Sequence, residues 1–107
     1  MSIKDEYQKL IEERKKIVEI VDWNEPVIKK MIALFTKDIN ETIKFVLEDC
    51  SEDQFSWLSE IFDQIVQKTK SKEFIEALRK IALKYPEETE DYNIIFFIDF
   101  AESFLDD

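Results

Sequence analysis

Glycine and histidine are both absent from this sequence, and their absence removes several kinds of active site at once. Average usage would place about seven glycines in a chain of this length. Without glycine the chain lacks the phosphate-binding loop, the dinucleotide-binding fingerprint and the type I′ hairpin turn. Without histidine it lacks the Ser-His-Asp triad and every metal site built on imidazole. The sequence therefore favours binding over catalysis.

Cysteine is nearly absent as well, because Cys50 is the only one. A single cysteine excludes an intramolecular disulfide and a zinc cluster. Its neighbours Glu48 and Asp49 disfavour a thiolate, so we expect a packed, unreactive thiol. The nearby Glu52 and Asp53 add carboxylates, but the spacing lacks the alternating ligands and the turn glycine of an EF-hand. We expect no catalytic residue, no metal and no cofactor.

Long apolar runs are also missing. A run such as Ile94–Ile98 is far below the roughly 20 residues that a membrane span needs. Residues 1–6 carry no apolar signal region. With 45% apolar residues, the chain has enough material for the core of one domain covering residues 1–107. We expect a cytoplasmic location, in agreement with the single thiol.

Acidic side chains outnumber basic ones by 25 to 15, and the whole excess lies in the second half of the chain. Residues 1–47 hold nine acids and nine bases, whereas residues 48–107 hold sixteen acids and six bases. Two blocks, 48–67 and 85–107, contain no base. Helix N-termini account for some of these acids. The others indicate an acidic binding face, because uncompensated negative charge costs self-repulsion.

The negative charge also narrows the choice of partner. A nucleic-acid surface needs a basic footprint, and an anionic membrane would repel this chain. We therefore expect no nucleic acid and no membrane as partners, and a basic protein instead. The sequence does not indicate the oligomeric state.

Apolar side chains recur with helical spacing along the chain. Pro26 opens a predicted helix and Pro86 ends one, while Asp38, Ser51 and Ser71 have the pattern of N-caps. The predicted helices cover residues 3–22, 26–36, 39–47, 52–68, 72–85 and about 92–105. This pattern predicts an all-α fold of five to six short helices in stacked antiparallel hairpins, as an irregular bundle or a HEAT-like array.

Three details leave a choice between interpretations. Residues 93–100 are apolar enough for a buried strand, but a lone strand would have no partner, so we predict a helix. Residues 87–91 have the composition of an acidic turn, either a solvated connection or a set of carboxylates for a partner. Arg14 falls on the apolar side of the first predicted helix, where we expect it to snorkel or to be ion-paired.

Trp57 falls at the edge of the apolar arc of the fourth predicted helix, near Asp53, Glu60 and Gln64. An aromatic ring beside carboxylates has the composition of an interface hot spot. A partly buried core tryptophan fits the same position, so the pattern supports both interpretations.

Ile95 and Phe96 point away from the apolar stripe of the last predicted helix, towards Tyr92, Asp99 and Glu102. Contiguous apolar side chains on an acidic face indicate an interface, although the first helix would also serve to cover them. The predicted partner-binding face comprises Asp53, Trp57, Glu60, Asp63, Glu88, Asp91, Tyr92, Phe96, Asp99 and Glu102.

The stretch from Cys50-Ser-Glu-Asp-Gln-Phe-Ser-Trp-Leu-Ser-Glu-Ile-Phe to Lys84-Tyr-Pro-Glu-Glu resembles small bacterial immunity proteins. These are the acidic, all-helical partners of contact-dependent-inhibition and related polymorphic toxins, and the likeness covers residues 50–88. The sequence is similar in character to colicin nuclease immunity proteins too. The resemblance implies a stoichiometric inhibitor of a cytotoxic, often basic nuclease domain, acting by active-site occlusion or from an exosite.

Two other functions remain open at this stage. One is a helical adaptor or scaffold that acts through protein–protein contacts, as a homodimer through Ile95 and Phe96. The other is a hydrolase that uses carboxylates and a metal ion, for which the sequence indicates no convergent cleft.

Overall fold

Helices account for almost all of the residues that the computed structural model describes, which are 2–18 and 25–106. Eight α-helices and two 3₁₀ segments lie in these ranges. They are α1 (Ile3–Val18), α2 (Glu25–Lys37), α3 (Ile39–Glu48), α4 (Glu52–Leu58), a 3₁₀ turn (Ser59–Ile61), α5 (Phe62–Thr69), α6 (Lys72–Lys84), α7 (Pro86–Asp91), α8 (Ile94–Glu102) and a second 3₁₀ turn (Ser103–Asp106). The predicted all-α class is confirmed, with more and shorter helices than expected.

Three helices begin at the caps that the sequence marks. The Asp38 carboxylate accepts hydrogen bonds from the backbone N–H groups of Asn40 and Glu41. Ser71 caps α6 in the same way. At α4 the Ser51 hydroxyl accepts from the Gln54 N–H, and the Gln54 side chain accepts from the Ser51 N–H. This reciprocal capping box uses two backbone donors that a helix start otherwise leaves without partners.

Two boundaries differ from the prediction. The helix predicted over 52–68 is interrupted by the 3₁₀ turn at Ser59–Ile61. The acidic turn predicted over 87–91 is wrong, because these residues form α7 with Pro86 in its first turn. Proline suits that position, and acids in the first turn complement the helix dipole. The predicted helical residues 19–22 and the break at residues 23–24 lie outside the described ranges.

Among residues 2–18 and 25–106, left-handed backbone occurs at two residues, neither of them glycine because the chain has none. Lys70 closes α5 at φ 51° and Asn93 precedes α8 at φ 50°. Asparagine tolerates this conformation better than most residues. The Lys70 ammonium donates a hydrogen bond to the Phe104 carbonyl at 2.7 Å, which gives this lysine a second role.

The buried side chains form one continuous core. Helix α3 packs against α6, α5 against α8, and α1 against α2. Aromatic rings fill much of the space, and Tyr7 contacts Phe35 edge-on with their ring centroids 4.8 Å apart. None of the helices within residues 2–18 and 25–106 is long and apolar enough to cross a membrane.

Gln54 attaches α1 to α4 from within this core. Its side-chain oxygen accepts from the Lys4 ammonium at 3.1 Å, and its amide nitrogen donates to the Gln8 side chain at 3.0 Å. The Tyr7 hydroxyl donates to the Gln54 carbonyl at 3.1 Å. These bonds hold the outer face of α1 beside α4, where the candidate site lies.

Candidate functional site

A surface groove forms where α1, α4 and the start of α8 meet, and we call it the Trp57 groove. Its lining comprises Lys15, Asp53, Ser56, Trp57, Ser59, Glu60, Tyr92 and Phe97. Four of the ten predicted face residues therefore come together here, namely Asp53, Trp57, Glu60 and Tyr92. Trp57 and Phe97 also pack against the core, as the core interpretation of Trp57 predicts, and the hot-spot interpretation stays a prediction.

The carboxylates of the Trp57 groove already have cationic partners from α1. Arg14 forms an ion pair with Glu60, and its guanidinium carbon lies 5.1 Å from the centroid of the Trp57 ring. The Lys15 ammonium lies 5.8 Å from the same ring and 3.8 Å from the Asp53 carboxylate. Partial burial lowers the pKa of Arg14. The first helix thus offsets much of the negative charge that the sequence places at this groove.

The Arg14 interactions are expected to contribute measurably to stability. Replacing Arg14 with alanine removes a half-buried ion pair and a cation–π contact. We therefore expect the free energy of unfolding, measured by urea titration, to fall by about 1–2 kcal/mol. Lys16→Ala is the matched control, because Lys16 is an exposed base on the same helix. We expect it to change the free energy of unfolding by less than about 0.5 kcal/mol. Equal effects of the two substitutions would contradict a specific role for Arg14.

An acidic corner borders the groove where the start of α4 meets α7, and it consists of Glu52, Asp53, Glu88 and Asp91. Partial desolvation raises the pKa of Glu88, as do the carboxylates of Glu52, Asp91 and Asp53. The neighbouring carboxylates thus add to the effect of burial on Glu88, while Asp53 is also paired with Lys15. Two further members of the predicted face, Glu88 and Asp91, therefore lie next to the groove.

Phe96 adjoins the same region from α8. Its ring is 56% exposed and lies edge-on to Phe97, with 5.5 Å between the ring centroids. Since Phe97 lines the Trp57 groove, Phe96 extends the aromatic surface outwards along α8. The predicted outward orientation of Phe96 is confirmed.

Three members of the predicted face are placed elsewhere. Asp99 and Glu102 accept hydrogen bonds from the Arg79 guanidinium at 3.0 and 2.9 Å, which ties α8 to α6. These bonds, with that to Asp99 contributing most, raise the pKa of Arg79. Asp63 lies on α5 outside the groove lining, and partial burial raises its pKa. The structure therefore gathers seven of the ten residues and separates three.

Several groove residues were not in the predicted face. Phe97 was assigned to the core stripe, and it lines the groove while packing inwards. Lys15, Ser56 and Ser59 also line the groove and carried no signal of their own in the sequence. The position of Arg14 on the apolar side of its helix was the available signal, and the ion pair expected for Arg14 is confirmed.

Two negative findings complete the description. Among the residues whose positions are described, no three carboxylates or thiols converge as ligands for a metal ion. No family model, curated protein or solved structure matches this chain.

Proposed function

We propose that this chain is an immunity-type inhibitor, which binds a cognate basic antibacterial toxin in the cytoplasm and acts without catalysis. The observation that carries the proposal is the acidic corner beside an aromatic-lined groove. Glu52, Asp53 and Asp91 lie near enough to Glu88 to raise its pKa, and an aromatic surface adjoins them along α8. The resemblance of residues 50–88 to immunity proteins supports the same conclusion.

The two parts of this surface have separate physical roles. Uncompensated carboxylates attract a basic partner over a distance and raise its association rate, towards roughly 10⁸ M⁻¹s⁻¹ at low salt. Aromatic side chains then exclude water from the contact and slow dissociation. An inhibitor that must capture a toxin quickly and hold it needs both properties. Binding at the active site and binding at an exosite are both compatible with this surface.

Charge reversal at the acidic corner tests the proposal. We expect the triple variant Glu52→Lys, Glu88→Lys, Asp91→Lys to associate at least tenfold more slowly with the toxin domain encoded beside this chain's gene. The matched control reverses three exposed acids on α3 and α6, Glu41→Lys, Glu73→Lys and Glu76→Lys, with the same change in net charge. Association rates at low salt and protection of growing cells that express the toxin domain are the two measurements.

Several results would contradict the proposal. A neighbouring gene whose product is not toxic, or a toxic product against which the wild-type chain gives no protection, would remove the immunity function. Equal slowing by the corner variant and its control would show that only net charge matters. Asp53 is left unchanged in both variants, so that its contact with Lys15 is preserved.

A second candidate is a helical adaptor that acts as a homodimer. The exposure of Ile95 and Phe96 on α8 favours it, because monomeric proteins cover most large apolar side chains. Light scattering over a hundredfold range of concentration separates the two functions. A dimer that persists on dilution favours the adaptor, and a monomer favours the inhibitor.

A further inference from the structure

Four aromatic side chains follow one another at four-residue intervals along α8 and its flanks. We call Tyr92, Phe96, Phe100 and Phe104 the aromatic ladder. Tyr92 is 55%, Phe96 56% and Phe100 46% exposed, while Phe104 is partly buried against the core. The rings of Phe96 and Phe100 are nearly parallel with centroids 6.5 Å apart, and Phe104 meets Phe100 edge-on at 5.2 Å. The rings of Phe96, Phe100 and Phe104 thus form a continuous aromatic surface.

Contiguity distinguishes the ladder from the other exposed apolar side chains. Single exposed apolar residues are normal on a protein surface, whereas adjoining aromatic rings mark a contact site. Ile95 lies on the other flank of α8, where it lines a separate groove with Leu83 and Pro86. The ladder and this groove therefore give two apolar surfaces on opposite sides of one helix, and only the ladder adjoins the Trp57 groove.

The charges around the ladder are unevenly placed. Residues 85–107 contain eight acids and no base. The acidic corner lies at the Tyr92 end, and the Lys70 ammonium is bonded to the Phe104 carbonyl at the opposite end. Arg79 reaches α8 on the other flank, through Asp99 and Glu102. A partner that covers the rings therefore meets the acidic corner at the Tyr92 end.

We propose that the aromatic ladder is the docking surface for a cationic amphipathic helix of the partner protein. Its apolar stripe covers Phe96 and Phe100, and lysine or arginine side chains near Tyr92 reach the acidic corner. Phe96 and Phe104 are eight residues apart, about 12 Å along a helix, so two to three turns of a partner helix cover the rings. This inference rests on the proposed function only in that the chain acts by binding a protein.

A designed peptide probe tests the ladder without the natural partner. The probe is an 18-residue peptide of leucine and lysine at helical spacing, labelled for fluorescence anisotropy, and a leucine–glutamate peptide of the same pattern is its counterpart. We expect the lysine peptide to bind the intact chain and Phe96→Ser/Phe100→Ser to weaken binding at least tenfold. The matched control, Leu83→Ser/Ile95→Ser, removes two exposed apolar side chains from the other groove and should change affinity less than twofold.

Three outcomes would overturn the ladder proposal. The first is that the glutamate peptide binds as tightly as the lysine peptide, and the second is that the ladder variant and its control lose the same affinity for the lysine peptide. The third is that the free chain is a dimer which the ladder substitutions convert to a monomer. The last would identify a second copy as the occupant. Circular dichroism checks the fold of each variant, and the single variant Phe96→Ser replaces the double one if that does not fold.

The peptide and the toxin assays fail independently. Ladder-dependent binding of the lysine peptide without protection against the toxin domain overturns the immunity function and leaves the docking surface intact. If the wild-type chain protects against the toxin domain but the ladder substitutions do not weaken peptide binding, the docking surface alone is overturned.

Discussion

Replacing Gln54 with alanine is expected to lower the free energy of unfolding by about 3 kcal/mol. The side chain is only 1% exposed, and every hydrogen-bonding position of its amide is used. The oxygen accepts from the Ser51 N–H and the Lys4 ammonium, and the nitrogen donates to the Gln8 side chain and the Lys4 carbonyl. Alanine removes all four bonds and leaves partly buried polar groups of Lys4, Gln8 and Ser51 without this contact. The free-energy penalty of leaving a polar group without a hydrogen bond inside the protein exceeds the net stabilisation that the bond provides.

Two parts of this loss are separable. The capping box at the start of α4 contributes about 1 kcal/mol, which Ser51→Ala measures by itself. The remainder belongs to the attachment of α1, through Lys4 and Gln8. Because Gln54 and Ser51 share the capping box, the double variant should lose less than the sum of the single losses.

Urea unfolding measured by circular dichroism provides the comparison, with Gln67→Ala as the matched control. Gln67 is exposed and its side chain donates to the Asp63 carboxylate at a long 3.5 Å, so its removal should cost less than about 0.5 kcal/mol. A loss below about 1 kcal/mol for Gln54→Ala would contradict its role as the link between α1 and α4.

The role of Gln54 shows which features the sequence predicts and which it does not. The capping box was predictable because Ser51 and Gln54 are three residues apart and a cap needs only local chain geometry. The bonds to Lys4 and Gln8 join residues about fifty positions apart. Nothing in local periodicity connects such distant segments, so this link appears only once the helices are packed.

Individual helices also differ in how well the local sequence predicts them. Long helices such as α6 were predicted closely, because an apolar stripe and a capping serine mark them. Helix α7 was missed, because six residues with no buried side chain carry no periodic signal. The sequence pattern therefore predicts a turn here, although Pro86 and the acids after it suit the first turn of a helix.

The candidate site was predictable in composition and only partly in arrangement. The acids near Trp57 were identified, but their partners Arg14 and Lys15 come from a helix some forty residues earlier. Asp99 was grouped with Phe96 because both lie outside the core stripe of one helix. They lie on different flanks of α8, and the position of Arg79 on α6 decides which flank forms an internal contact. Net charge along the chain therefore overstates the charge that is free for a partner.

Alkaline pH is expected to destabilise this protein through Cys50 by up to about 4 kcal/mol. The thiol is 3% exposed and donates to the Ser51 carbonyl. Burial raises the pKa of Cys50 from 9.0 to about 12, and the ammonium groups of Lys4 and Lys84 offset only part of that rise. In the unfolded chain the thiol ionises near its ordinary pKa, so between the two values the folded state binds more protons. Stability is therefore complete below about pH 9 and falls as the pH rises towards 12.

Comparison with Cys50→Ala isolates this contribution. Alanine removes the ionisable group and leaves a small void, so at neutral pH the variant should be about 1 kcal/mol less stable than the wild type. By about pH 11 ionisation of the thiol in the unfolded chain lowers the free energy of unfolding of the wild type by roughly 2.5 kcal/mol. Cys50→Ala should then be the more stable of the two proteins. Burial also raises the pKa of Tyr7, and Cys50 adds to that rise, so Cys50→Ala removes part of the Tyr7 contribution together with its own.

Urea unfolding at intervals from neutral pH to about pH 11 measures the two curves, with Tyr7→Phe as a further variant. This substitution removes a second buried ionisable group and its hydrogen bond to the Gln54 carbonyl, so its alkaline slope should also be shallower than that of the wild type. Parallel curves for the wild type and Cys50→Ala would show that the thiol ionises as readily in the folded protein as in the unfolded chain. A crossing of the two curves would instead place Cys50 in the packed core as a structural thiol. Burial of Cys50 then disfavours its nucleophilic thiolate at neutral pH, because the raised pKa keeps the thiol protonated.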